Sequence, residues 1–227
     1  MSTVTRESDC LGHWPLAESM IRTFDASPLP TNVLLFGAWG SGKSTFLDVL
    51  NQAMEPGGRY HVVRFNPWEY ESSSNLLFPL LRAVHNSLPA PIRRKKEVSL
   101  IARSCLRAAL DIGVRITSSV LSAGTGAVKL KDIESAIENE ETLLDDLSDP
   151  VEECKNNFRA LAGQAIKGGK RALVILLDDL DRCLPETAIA LIESVKLYLS
   201  TGSGLPVIFV WAMDKDVVSR SLAAKYA

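Results

Sequence analysis

Residues Gly37, Ala38, Trp39, Gly40, Ser41, Gly42, Lys43 and Ser44 satisfy the pattern G-x-x-x-x-G-K-[ST], with Thr45 directly after it. Glycines at this spacing let successive backbone N–H groups turn inward around an anionic phosphate, and the dipole of a following helix favours the same anion. The stretch 37–45 is therefore the expected phosphate-binding set. Lys43 is placed to reach the β and γ phosphates, and the Ser44 hydroxyl to complete a Mg²⁺ shell. A glycine-rich turn matching by chance is the bland alternative. Far downstream, the apolar run 173–177 ends in Asp178 and Asp179. Phosphoryl transfer needs an acid at a strand end to hold Mg²⁺ opposite the loop's Ser, and Asp178 is the expected ligand beside Ser44. Asp179 points differently and is expected to orient or deprotonate an attacking water. Lys43, Asp178 and Asp179 are thus the catalytic candidates. The other reading has the two acids merely end the strand and cap the next helix.

Neighbouring residues carry weaker signals. Asp181 and Arg182 follow at once, as a structural ion pair or with Arg182 facing a neighbouring subunit's nucleotide. Asp214 is itself an anion and is expected to anchor Arg182, Lys215 or a loop N–H rather than phosphate. After a strand at 60–65, Asn66, Pro67, Trp68, Glu69 and Tyr70 combine two readings. The aromatics pack at a strand exit, while Asn66 or Glu69 reaches the nucleotide site, because strand ends line the ligand crevice of open α/β sheets.

These groups need a frame to position them. Apolar strands are expected at 32–36, 60–65, 171–177 and 205–211, alternating with helical patterns at 11–24, 44–54, 76–88 and 185–198. Strands apolar almost throughout imply a parallel sheet covered on both faces. The predicted fold class is α/β, a three-layer sandwich with a mainly parallel sheet. A helical insertion falls between the phosphate-loop (Walker A) and Asp-Asp (Walker B) strands. The division expected is 1–88 for the first part of the core, 89–169 for the insertion and 170–227 for the second part. The helical pattern 219–227 reaches the last residue with no glycine or proline stop, which predicts that the chain is a truncated form.

The insertion opens with Arg93, Arg94, Lys95 and Lys96 and continues through a mostly apolar stretch, 98–130. Arg103, Arg107, Asp111 and Arg115 recur there at every fourth position, sharing one helical face. A span needs roughly 20 largely uncharged residues, and each central charge costs at least ~2.5 kcal/mol on insertion scales. A simple membrane span is therefore rejected. A helix packed on its own domain or a partner is the main expectation, with peripheral contact to an anionic membrane as the alternative.

Of 227 residues, 46% are hydrophobic, enough for a sizeable core, and a net charge of −2 gives no global pull toward nucleic acid. Cys10, Cys105, Cys154 and Cys183 are scattered with no C-x-x-C pair, which argues against a zinc site or a disulfide framework. Residues 1–10 are polar and hold no apolar signal core, so a cytoplasmic protein is expected.

With the loop 37–44, the strings 65–70 (Phe-Asn-Pro-Trp-Glu-Tyr) and 178–183 (Asp-Asp-Leu-Asp-Arg-Cys), and 209–214, the chain resembles the KAP family of P-loop NTPases. Asp9, Cys10, Leu11 and Gly12 are similar to that family's N-terminal element, expected near the nucleotide base. The resemblance implies an ATPase of the additional-strand class, in which a core strand lies between the loop strand and the Asp-Asp strand. It implies ATP and Mg²⁺ as ligands, membrane association in many members, and bacterial relatives in phage exclusion and anti-phage defence. The reading it supports is Mg²⁺-dependent ATP hydrolysis coupled to a conformational switch, with a protein partner or self-association. The alternative is a nucleotide-binding interaction module that recruits a partner or membrane without hydrolysis.

Overall fold

The computed structural model describes residues 4–73, 75–96, 98–104, 150–200 and 204–226. The expected insertion's middle, 105–149, lies outside the described residues, and with it Arg107, Asp111 and Arg115. The elements run α1 (His13–Ala26), β1 (Thr31–Phe36), α2 (Lys43–Met54), β2 (Tyr60–Phe65), α3 (Leu77–Ser87), α4 (Pro150–Ala165), β3 (Ala172–Leu177), α5 (Pro185–Ser194), β4 (Val207–Met213) and α6 (Lys215–Tyr226). Single 3-10 turns follow β2 at Pro67–Tyr70 and β3 at Leu180–Arg182. Among the described residues no helix is long and apolar enough to cross a membrane.

The four strands form one parallel sheet in the order β1-β4-β3-β2. β4 therefore lies between the loop strand and the Asp-Asp strand, as the resemblance implied. All of β3 and β4 is buried, which explains why both read as unbroken apolar runs rather than alternating ones. β4 starts two residues later than its apolar run suggested. Pro206, lacking an N–H, sits before the strand and only accepts, from Leu173.

Two apolar layers follow the pleat. Val174 and Leu176 of β3 face α1 and α2, packing with Phe24, Phe46, Leu47 and Leu50. Leu173, Ile175 and Leu177 face the opposite layer, where α3, α4 and α5 supply Leu80, Phe158, Leu161 and Leu191. α4 therefore covers the sheet, although its residues fall in the stretch that the sequence grouped with the insertion. β1 departs from the covered-on-both-faces pattern: Leu34 and Phe36 are about half exposed, at 54% and 48%.

Parallel strands put all their C-terminal ends on one edge. Phe36 pairs with Met213 and Phe65 with Leu177, so the segments after all four strands emerge side by side. This is the edge where open α/β sheets bind ligands.

Candidate functional site

β1 ends at Phe36 and the chain turns through 37–42 before α2 begins at Lys43. Two glycines make the turn passable, Gly40 at φ 76° and Gly42 at φ 90°, in the region where a side chain would be strained. Gly37 is closely approached by side chains of its own loop. A Cβ there would collide with the Ser41 hydroxyl and lie 3.3 Å from Cγ of Lys43. The loop is thus wound closely around its own lysine. Lys43 Nζ donates to the carbonyls of Gly37 (2.7 Å) and Ala38 (3.2 Å).

A cleft opens over this loop, lined by Trp39, Gly40, Ser41, Gly42, Lys43, Ser44 and Thr45 on one wall and Asp179, Asp181 and Arg182 on the other. The residues of the phosphate-loop pattern and the acid-rich string, distant in sequence, face one another across it. Gly37 and Ala38 contribute through their carbonyls.

Asp178 sits beneath the cleft and is not among its lining residues. It continues the alternation of Val174 and Leu176 toward the α2 layer and is only 3% exposed. Arg64 Nη2 lies 2.7 Å from Oδ2 of Asp178, and the Asp179 N–H donates to Oδ1 at 3.0 Å. The same Arg64 guanidinium also pairs with Asp48 of α2. Desolvation works against the Arg64 cation, yet the hydrogen bond to Asp178 and the charge of Asp48 raise its pKa above the ordinary arginine value.

Asp179 adopts a left-handed backbone (φ 56°), which turns the chain out of the strand line into the 3-10 turn at Leu180–Arg182. One oxygen is 2.9 Å from Nε of Arg182 and the other accepts from Asn66 Nδ2 at 3.2 Å. Burial and the adjacent Asp178 carboxylate push Asp179 above the usual aspartate range, against the pull of Arg182 and Asn66. The Asn66 alternative raised from the sequence therefore has a physical basis, while Tyr70 packs on Phe65 with ring centroids 5.4 Å apart.

Asp181 Oδ2 lies 3.7 Å from Lys43 Nζ and accepts the Asp214 N–H at 3.1 Å. The Asp214 side chain accepts from the N–H of Asp216 in the first turn of α6, so it caps that helix, where an anchor for Arg182, Lys215 or a loop N–H was expected. Three acids thus hold three bases: Asp178 with Arg64, Asp179 with Arg182 and Asp181 with Lys43. The guanidinium of Arg182 also lies 4.2 Å from the ring centre of Trp39 and 5.3 Å from that of Trp68. The expected Asp181–Arg182 pair is replaced by Asp179–Arg182, and Arg182 faces the cleft of its own chain.

Sequence reasoning missed Arg64, Asp48 and the Lys43–Asp181 pair. A lone arginine near the end of a mostly buried strand was the available signal for the first. On the N-terminal side, Asp9 caps α1 by accepting from the N–H groups of His13 and Trp14, and these bonds draw its pKa down. The His13 ring reaches within 3.3 Å of where a Gly42 Cβ would stand, so the element around Asp9 borders the phosphate loop. Cys183 is buried and its thiol is pushed up to about 12, which removes it as a nucleophile.

The parallel sheet, the glycine loop at a helix N-terminus and the facing acids define a P-loop NTPase domain. The family model of the KAP family P-loop domain matches residues 15–227, and the chain belongs to that family. An uncharacterized protein of Methanocaldococcus jannaschii, MJ0182, is 25% identical over 166 residues, covering 62% of this chain and 84% of its own length. At the level of the family, the chain is a nucleotide-binding NTPase domain.

Proposed function

We propose that the chain binds ATP with Mg²⁺ and hydrolyses it, using the energy of the terminal phosphate to switch the contacts at the sheet edge. The observation that carries this reading is Asp179, a carboxylate held above its usual pKa in the same cleft as the phosphate loop. A base whose affinity for protons is raised by its surroundings is suited to accept one from water.

The residues fit a polyphosphate. The glycine turn packs Ser41 and Lys43 closely over Gly37, the N-terminus of α2 points into the cleft, and Lys43 is poised there. They also fit a phosphate-bound Mg²⁺, which takes few protein ligands. Ser44 faces the cleft, while Asp178, buried beneath it and held by Arg64, would act on the ion through one of the waters that Mg²⁺ keeps. When bound, the ion would neutralise charge developing on the bridging oxygen of the leaving diphosphate. Lys43 would exchange Asp181 for phosphate oxygens, and the loop amides would hold the chain of phosphates in line. Asp179 would take the proton of a water attacking the γ-phosphorus while the bond to the diphosphate oxygen breaks, giving ADP and phosphate. The adenine preference and the setting, in anti-phage defence or membrane-associated signalling with a protein partner, rest on the family resemblance.

Phosphate release with Mg²⁺-ATP tests the reading. Asp179→Asn is expected to lower turnover by about 10²–10⁴-fold, the range for losing a general base, with ATP still bound. Lys43→Ala is expected to abolish tight ATP binding by calorimetry. Wild type and Asp179→Asn equally silent, while both bind ATP, would leave a nucleotide-binding interaction module instead.

A further inference from the structure

Arg182 joins three segments at the mouth of the cleft. Its guanidinium pairs with Asp179 at the end of β3 and lies against Trp39 of the phosphate loop and Trp68 after β2. Both indoles are notably open to solvent, Trp39 at 70% and Trp68 at 47% exposure, so their placement is not explained by burial. What they share is the cation between them. Each such contact at a solvent-facing site is weak, worth about two- to fivefold in an equilibrium. The latch is therefore closed but readily opened.

A terminal phosphoryl group is the natural competitor for this cation. It carries more charge than one carboxylate and presents three acceptor oxygens to a planar fork that matches them in pairs. The loop wall of the cleft takes the inner phosphates, which leaves the opposite wall, Asp179 and Arg182, for the outermost one. An ionised Asp179 facing that phosphate without a cation would repel it.

We propose that Arg182 is a latch exchanged by substrate within one chain. With the cleft empty it neutralises Asp179 and bridges Trp39 to Trp68. When a nucleoside triphosphate binds, its guanidinium passes from Asp179 to the terminal phosphoryl group. The proposal rests on the reading of Asp179 as the water's acceptor: the exchange frees that carboxylate only when a cleavable phosphate is present. A diphosphate, which lacks the outer group, leaves the latch closed. Arg182 thereby becomes the residue that distinguishes tri- from diphosphate.

Calorimetry with Mg²⁺ and either ADP or a non-hydrolysable ATP analogue tests this on the whole chain without requiring turnover. Arg182→Gln is expected to weaken the analogue at least tenfold and ADP by less than twofold, with Arg182→Lys between it and wild type. Equal losses for both nucleotides, or none, would overturn the exchange and leave a structural ion pair. Asp179→Asn, which keeps Arg182, provides a second arm. Removing the competing carboxylate is expected to tighten the analogue about three- to tenfold with ADP unchanged, and an unchanged analogue affinity would overturn the proposal. A chain that shows these differences yet releases no phosphate sinks the hydrolase reading and keeps the latch. A hydrolysing chain whose Arg182→Gln variant binds the analogue as wild type does the reverse.

Discussion

Asp179 carries a charge that its surroundings disfavour. Burial and Asp178 raise its pKa in the folded chain above the unfolded value near 3.8. The folded state therefore holds the proton more tightly than the unfolded one. The resulting stabilisation is complete below the unfolded pKa and is lost as pH rises through the folded pKa. At neutral pH the ionised side chain is a liability, and Asp179→Asn is expected to melt higher than wild type. The gain is about 2–4 °C for each kcal/mol regained in a domain of this size, and it disappears as pH falls toward 4. Thermal melts at pH 7 and pH 4 check it, and a variant that melts lower than wild type at pH 7 would contradict the strained-acid description. The acids themselves were legible in the sequence because they close an apolar strand. Their partners were not. Which base each acid takes depends on register, since Arg64 shares a face with Leu176 only because β2 and β3 pair Arg64 with Leu176. A slip of one residue would turn that arginine to the α3 layer.

Helix α4 illustrates the limit at the scale of elements. Its sequence, 150–165, reads as a resumed helix after an acidic stretch, and nothing local says which surface it covers. In the fold its Phe158, Leu161 and Ala162 are fully buried with Leu80, Leu177 and Leu191, closing the layer opposite α2. Phe158→Ala is expected to cost about 3–5 kcal/mol, the range for emptying a phenylalanine site in a packed core. Denaturant midpoints measure this directly. A loss under ~1 kcal/mol, the scale of an ordinary surface substitution, would mean that α4 is a peripheral appendage. Strand existence was readable from apolar runs bounded by turn residues, within two residues at β4. Strand order was not readable from the runs alone, because buried parallel strands look alike and any of them fits beside any other. The motif strings, which mark the loop strand and the acid strand, implied through the family resemblance only that one strand lies between those two; the place of β2 at the far edge became visible in the fold.

At the scale of the molecule, the strand ends form one connected rim. Gly37 N–H donates to Met213, Asn66 to Asp179, the Leu184 N–H to Glu71, and the Asp214 N–H to Asp181. A phosphate that draws Lys43 from Asp181 and Arg182 from Asp179 removes two ion pairs from that rim at once. The displaced acids hold the amides and side chains of the neighbouring turns, so the disturbance must reach segments that never touch the nucleotide. Hydrogen exchange with Mg²⁺ and a non-hydrolysable ATP analogue is expected to change protection together at 37–45, 66–71, 179–184 and 214–216. The interior of β3 and the buried face of α4, which hold no rim contact, are expected to exchange as before. ADP is expected to affect 37–45 and the Asp214 amide through Lys43, leaving 66–71 unaltered because Arg182 stays on Asp179. Changes confined to 37–45 with the triphosphate analogue would mean that the turns respond independently. The sheet edge would then be a binding platform rather than a switch, since coupling between distant surfaces requires an element with two arrangements that the ligand distinguishes.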